Sequence, residues 1–572
     1  MYIDIVPNRS SKPAILLRTA TREGKKIRKK TIANLSDWPM EKVEALRAVL
    51  RGDELVSPDS LFAIERSLPH GHAKAVLATM RRLEIPQLLG SVRCRERDLV
   101  EAMVAERLLH PGSKLATART WTSSTIGQEC EVEDADVEEL YRALEWLVAR
   151  QDRIEAKLAQ RHLGEGCLAL YDVSSSSYEG TKCALARRGH NRDGEKLPCI
   201  VYGMLTDREG RPVAVEVFPG NTGDPSTVPA QVERVQRRFK LERVVIVGDR
   251  GMLTNTRIDT LREHPGLGWI SALRGPAIRK LVESGAIQMS LFDERNLAEI
   301  TTPEYPGERL VVCFNPVLAH DRRRTREELL AATEKELEGI ARSAGRRTRT
   351  PLSDAELGVK VGRVINHYKV AKHFEMTIEN GMLQWRRRQE LIDREATLDG
   401  IYVIRTSEKS MPAADVVRGY KSLATVERAF RSLKGIGLQV RPIYLRLEDR
   451  IRGHLLVCML AYYVEWHMRQ ALAPLLFHDE ELAKDRPKRD PVAPAKGSAK
   501  VREKKGTRED ADGLPIHSFR TLLEDLATQC RNTCRPKSMP NAPTFEQETE
   551  PTPLQSKVFE LLEAVPMHSK VK

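Results

Sequence analysis

Two short apolar runs each end on an aspartate, and this feature constrains the fold more than any other. Residues 167–173 read Cys-Leu-Ala-Leu-Tyr-Asp-Val, and residues 243–249 read Arg-Val-Val-Ile-Val-Gly-Asp. Continuous apolar runs of this length suit strands buried on both faces, as in the centre of an α/β sheet. Between them, residues 200–207 and 211–218 flank the turn Asp207-Arg208-Glu209-Gly210 and predict a hairpin. Residues 226–240 predict an amphipathic helix, and 268–273 a further strand. The order is strand, hairpin, helix, strand, helix, strand, which gives a mixed α/β sheet. An acid at a strand's carboxyl end points to a functional sheet edge. One such acid is commonly a turn former or helix cap; Asp172 and Asp249 in one sheet favour the functional reading.

The rest of the chain is organised around this core. Residues 1–55 predict a basic hairpin plus helix: strands over 14–20 and 25–35, then a helix over 40–50 capped near Asp37. Arg22, Lys25, Lys26, Arg28, Lys29 and Lys30 make the hairpin a candidate DNA arm or a solvated basic surface. Residues 56–165 are read as helical and DNA-binding, from apolar spacings of three and four punctuated by Pro86 and Pro111-Gly112. The core spans 166–274 and resumes at 399–475. Between its parts lies an α+β insertion domain, 275–398, with Asn380-Gly381 as a hairpin turn and basic clusters at Arg322–Arg324, Arg346-Arg347 with Arg349, and Arg386–Arg388. Residues 476–512 are expected to be a disordered basic linker. A C-terminal tail follows at 513–572, with a short helix over 518–529.

Composition narrows the function classes. The 572 residues carry 93 Lys and Arg against 80 Asp and Glu, a net charge of +13 that nudges toward a polyanionic partner. A hydrophobic share of 41% with 30% charged residues excludes a wholly disordered, collagen-like or polytopic membrane chain. The longest apolar run, 455–464, is too short to span a bilayer. Nine scattered cysteines give no disulfide framework and point to a reducing cytoplasm; Cys530 and Cys534 lack a second metal-binding pair. No signal-peptide pattern is visible at the N-terminus.

A third acid comes from residues 420–434. This stretch lacks Gly and Pro and reads as one helix, with Tyr420, Glu427 and Lys434 seven apart on one face. Leu423, Phe430 and Leu433 lie beside them and are placed to pack on the sheet. A salt-bridged surface helix would show the same spacing. Carboxylates Asp172, Asp249 and Glu427 converging from two strand ends and a helix would bind two hard divalent cations, Mg²⁺ above all, with Mn²⁺ able to substitute. Lys434 would hold a phosphate as a point charge.

At these residues the chain resembles the DDE transposases of bacterial insertion sequences, in the subgroup with a Tyr-x2-Arg-x3-Glu-x6-Lys signature. Here it reads Tyr420-x2-Leu423-x3-Glu427-x6-Lys434, so a leucine stands where the signature has arginine. Tyr171-Asp172-Val173 resembles the block around the first acid and Gly248-Asp249-Arg250-Gly251 that around the second. Phe218-Pro219-Gly220-Asn221-Thr222 and Arg441-Pro442-Ile443-Tyr444 are also similar to family blocks. The resemblance spans about 165–470. It implies an RNase H-like core with an insertion between the second acid and the glutamate. It implies metal-dependent cutting at terminal inverted repeats, joining to target DNA, a homodimer on paired ends, and work on the bacterial nucleoid. Asp172, Asp249 and Glu427 would be the catalytic metal ligands, and Tyr420 and Lys434 would contact DNA phosphate. Two other readings compete: a repurposed DNA-binding protein that has lost catalysis, which Leu423 favours, and a metal-dependent nuclease of the same fold.

Overall fold

The protein is described by a computed structural model. The description covers all residues except 9–11, 54–60, 289, 291, 348–349, 486–487, 495, 511, 538–540 and 566–572, and omits the side chains of 483 and 484. The expected boundary at 55/56, Arg349 and the last residues of the tail lie outside it. The chain divides into two compact units, Met1–Leu68 with Gln529–Glu550, and Pro69–Thr528 with Pro551–Lys572.

In the first unit, β1 (Tyr2–Val6), β2 (Ala14–Glu23) and β3 (Lys26–Asn34) form an antiparallel sheet. The β2–β3 turn carries Gly24 at φ +62°, a conformation glycine adopts without strain. Ile15, Leu35 and Val43 make a small core with the helix Met40–Arg51. The basic side chains of β3 are exposed, as a surface arm requires. The helix starts after Pro39 with no side-chain cap, so Asp37 does not play the expected role. A second sheet pairs β4 (Phe62–Pro69) with β15 (Cys530–Pro536) and β16 (Phe545–Glu548). Two expectations are corrected here. Residues 56–165 do not read as helix throughout, because 62–69 is a strand. The tail also supplies its pairing partner. Neither strand has an apolar period that announces the other; the pairing joins segments more than 450 residues apart, out of reach of local pattern.

The second unit is built on an eight-stranded mixed sheet. Its members are β5 (Cys167–Ser177), β6 (Cys199–Thr206), β7 (Pro212–Pro219), β8 (Val244–Val247), β9 (Leu267–Ala272), β10 (Leu297–Ile300), β11 (Arg309–Phe314) and β14 (Ile401–Thr406). The order across the sheet is β10-β11-β14-β9-β8-β5-β6-β7. β5 pairs antiparallel with β6 and parallel with β8, and β8 pairs parallel with β9. All four residues of β8 are buried, as its unbroken apolar run predicts. The helix expected over 226–240 spans 224–238, as a 3-10 turn Asp224–Thr227, an α-helix Val228–Glu233 and a π-helical turn Arg234–Arg238.

The helices before the sheet do not form a separate domain. Arg95–Leu109 is buried along every residue from Leu99 to Leu109. It packs with Val137–Val148 against Glu448–Ala471, which also lies on β7. The approach is close: a Cβ added at Gly453 would sit 2.7 Å from the Leu144 carbonyl oxygen. One continuous core runs from Ala73 through the sheet to Val565. Among the described residues no helix is long and apolar enough to cross a membrane.

The insertion is smaller than expected. β10 and β11 extend the main sheet, since buried Leu310–Cys313 pair residue by residue with β14. What stands apart is Pro316–Gly345, Asp354–Tyr368, the hairpin β12 (Phe374–Glu379) and β13 (Met382–Arg387), and Gln389–Ala396, around a core of Leu330, Leu337, Leu357 and Phe374. Asn380-Gly381 turns that hairpin with φ values of +51° and +71°, as its sequence requires. The 476–512 stretch is also corrected: Ala499–Thr507 is a helix capped by Ser498. Its Lys504 is buried, donates to the Ala473 carbonyl at 2.9 Å and pairs with Glu480. Composition marks that stretch as solvated, but a lysine that finds both a carbonyl and a carboxylate can be buried. In the tail, Pro553–Glu563 carries a Thr552–Gln555 capping box and packs on Gly71–Arg82.

Candidate active site

Asp172 and Asp249 come together through strand register. β5 and β8 are parallel neighbours with Leu170 opposite Val247, so each aspartate stands two residues farther along. Both side chains line one cleft of about 900 Å³. The third acid reaches it from a different helix than the sequence suggests. Residues 420–434 are two helices, Ala413–Lys421 and Leu423–Lys434, that break at Ser422, whose Oγ donates back to the Arg418 carbonyl at 2.8 Å. Side-chain return bonds of this kind compete with the helical ladder. Val426, Ala429, Phe430 and Leu433 bury the second helix, which packs on β5. Tyr420, Glu427 and Lys434 still share the cleft wall despite the break. Leu423 is 8% exposed, part of the core as well as the wall.

The charges in the cleft are unequally compensated. Burial pushes the Asp172 carboxyl up to about 6, and the nearby charges of Asp249 and Glu427 add to it; the Val173 N–H and Arg192 act the other way. The Val173 N–H donates to Asp172 Oδ1 at 2.8 Å. Asp249 accepts the Tyr420 hydroxyl on Oδ1 at 3.4 Å and the Gly251 N–H on Oδ2 at 3.3 Å. Burial and the Asp249 charge hold the Tyr420 phenol well above its ordinary value, so it stays a donor. Lys434 Nζ donates to the Ser175 carbonyl at 2.8 Å and to Ser174 Oγ at 3.4 Å.

Lys434 also meets a fourth acid that sequence reasoning missed. Its Nζ lies 2.7 Å from Asp193 Oδ1, while Arg441 lies 3.1 Å from Oδ2. The Ser177 N–H donates to Asp193 as well, at 2.9 Å. Burial works upward on Asp193, but these bonds and charges outweigh it and hold the carboxyl below its ordinary value. Arg192 beside it pairs with Asp224 at 2.6 Å. Arg192, Asp193, Asp224 and Arg441 all line the cleft. The first two sit in the β5–β6 connection, where no apolar period exists to flag them; the dipeptide Asp193-Gly194 reads only as a turn.

Among the described residues, no three His, Cys, Asp or Glu side chains already form a cluster at metal-holding distance. The donor chemistry nevertheless suits a hard cation. Asp172, Asp249 and Glu427 are all oxygen ligands, and burial first, then the Asp249 and Glu427 charges, raise the Asp172 carboxyl.

Residues 164–464 match the transposase DDE domain family. The chain belongs to this family. The match begins just before β5 and ends within the Glu448–Ala471 helix, so it takes in all five residues named from the sequence. No curated protein matched the chain. Family membership brings DNA as the partner, transposition and recombination as the process, and divalent metal ions as the family's cofactors.

Proposed function

We propose that this protein cuts at the ends of a mobile DNA element and joins those ends to target DNA, with Asp172, Asp249 and Glu427 as its catalytic acids. The observation that carries this reading is the shared cleft: two acids from parallel neighbouring strands and one from a packed helix, with Asp172 held near 6 by burial and by the other two. An RNase H-like reading of the core is supported by the strand order β7-β6-β5-β8-β9, with the first two acids on the central parallel pair.

Each residue has a role that its surroundings suit. Asp172, Asp249 and Glu427 would hold two Mg²⁺ ions, which when bound supply Lewis-acid activation of the attacking oxygen and charge relief at the leaving oxygen. The Tyr420 hydroxyl holds the Asp249 carboxylate in orientation. Lys434 presents a point charge to the phosphate once Asp193 releases it or shares it. The transfers are in-line, with no covalent enzyme intermediate, so catalysis rests on positioning and electrostatics. A homodimer pairing two terminal inverted repeats, acting on nucleoid DNA in the cytoplasm, completes the reading.

The test is excision of a marker flanked by the DNA that borders the gene. The parent and its Glu427→Gln variant are compared in the same cells. Excision by the parent alone supports the proposal. Absence of excision from both, with end binding intact, favours a DNA-binding protein that has lost catalysis. Cutting by the parent without rejoining favours a nuclease.

A further inference from the structure

A second cleft of about 510 Å³ lies beside the first, and Arg441 lines both. Its wall includes five cationic side chains, Arg107, Lys114, Arg441, Arg446 and Arg450, and no carboxylate among its lining residues. Two of the five are buried. Lys114 is 5% exposed and Arg107 4% exposed.

Protein groups do not neutralise this pair. Among the described residues, no carboxylate forms an ion pair with Arg107 or Lys114. Arg107 donates only to carbonyls: Gly112 at 2.8 Å, Gln439 at 3.4 Å and Leu438 at 3.5 Å. Its Nε has no partner. The Lys114 ammonium makes no hydrogen bond among the described residues. Burial, reinforced by the Arg107 charge, pulls Lys114 down to about 7. A buried ammonium is retained at a cost when nothing compensates it. The other three cations are committed differently. Arg450 is paired with Glu145 at 2.7 Å, Arg441 with Asp193, and Arg446 is exposed at the rim.

Buried positive charge without an internal counter-ion, open to a cleft that lacks any acid, is the chemistry of an oxyanion receptor. We propose that the cleft holding Lys114 and Arg107 takes one backbone phosphate of the DNA strand engaged at the neighbouring catalytic cleft. The assignment rests on the transposase reading and deepens it. It gives the helices before the sheet a direct part in DNA binding, since Arg107 and Lys114 belong to them. It also explains why the segment 439–447, which carries Arg441 and Arg446, bridges the two clefts.

The test uses the full chain, the Lys114→Met variant and the rim variant Arg446→Gln, in two arms. In the first arm, inorganic phosphate is added at fixed ionic strength and the thermal midpoint is followed. The parent should rise with phosphate. Lys114→Met should start higher without phosphate and should not respond to it. In the second arm, affinity for a mixed-sequence duplex is measured against salt. Loss of one phosphate contact lowers the log–log slope by about 0.9, expected for Lys114→Met, with a smaller loss for Arg446→Gln. A phosphate response that is absent, or equal in parent and Lys114→Met, overturns the anion site. A Lys114-dependent phosphate response with an unchanged duplex slope means the cleft serves a free oxyanion and overturns the DNA assignment. A parent that binds no duplex would sink the transposase reading and with it the DNA assignment, while the phosphate arm still reports whether the cleft takes an oxyanion.

Discussion

Replacing Leu423 with arginine, the residue that the resembled signature carries at this position, is the perturbation that most directly weighs packing against that resemblance. From the sequence, Leu423→Arg is expected not to reduce phosphate engagement, with a large activity loss marking Leu423 as packed core instead. The side chain is only 8% exposed and sits in the main core at the first position of the Leu423–Lys434 helix. Removing a buried leucine from this place forfeits about 2–3 kcal/mol of burial. An arginine in the first turn also opposes the helix dipole by a few tenths, roughly 0.3 kcal/mol or more. Leu423 lines the cleft, so a guanidinium can lean out toward Asp249 and Glu427. An exposed pairing of that sort returns at most about 1 kcal/mol. The balance is a loss of about 2 kcal/mol. With a urea slope of at least about 3 kcal/mol/M for a chain of this size, the midpoint falls by at most about 0.7 M. Leu423→Met keeps the volume and should stay much closer to the parent. Tryptophan fluorescence during urea unfolding reads the shift. At low salt, duplex affinity of Leu423→Arg should not fall below the parent's, because the cleft gains a cation. A Leu423→Arg midpoint at or above the parent's would refute the claim that this leucine is packed core.

Two further outcomes are expected. Asp249→Asn should lower cleavage at least about a hundredfold while sparing end binding, since Asp249 is exposed and an amide oxygen can still accept from Tyr420; an equal loss of binding would mean a structural role. Acid should destabilise the protein through His72, which is 3% exposed and has no partner for either ring nitrogen. Burial, then the charges of His110, His70 and Arg520, draws His72 down from 6.5 to about 3. The unfolded chain therefore takes up this proton first, and stability is lost as pH falls from about 6.5 toward 3, by about 2 kcal/mol at pH 5. His72→Leu should flatten the decline of the thermal midpoint between pH 7 and 5; an unchanged decline would remove His72 as its source.

The local chemistry of the chain was legible in its residues. A short unbroken apolar run suits a buried strand, so β5 with Asp172 inside it and β8 with Asp249 two residues past its end stood out from the sequence. The hairpin turn at Asn380-Gly381 and the exposed basic face of β3 followed from equally local rules. Long-range pairing was not legible, because it depends on which distant surfaces fit. The union of β4 with β15 and the absorption of β10 and β11 into the main sheet are of this kind. So is the helix that buries Lys504 in a stretch whose composition resembles a linker. The break at Ser422 was hidden because a hydroxyl's bond to its own helix leaves no mark on periodicity. The same limit applies to charge. A sequence shows that Asp193, Lys114 and Arg107 are ionisable, but whether an ion is paired, stranded or aimed into a cleft depends on neighbours brought from elsewhere in the chain. Asp193 found Lys434 and Arg441, whereas Lys114 and Arg107 found no carboxylate among the described residues.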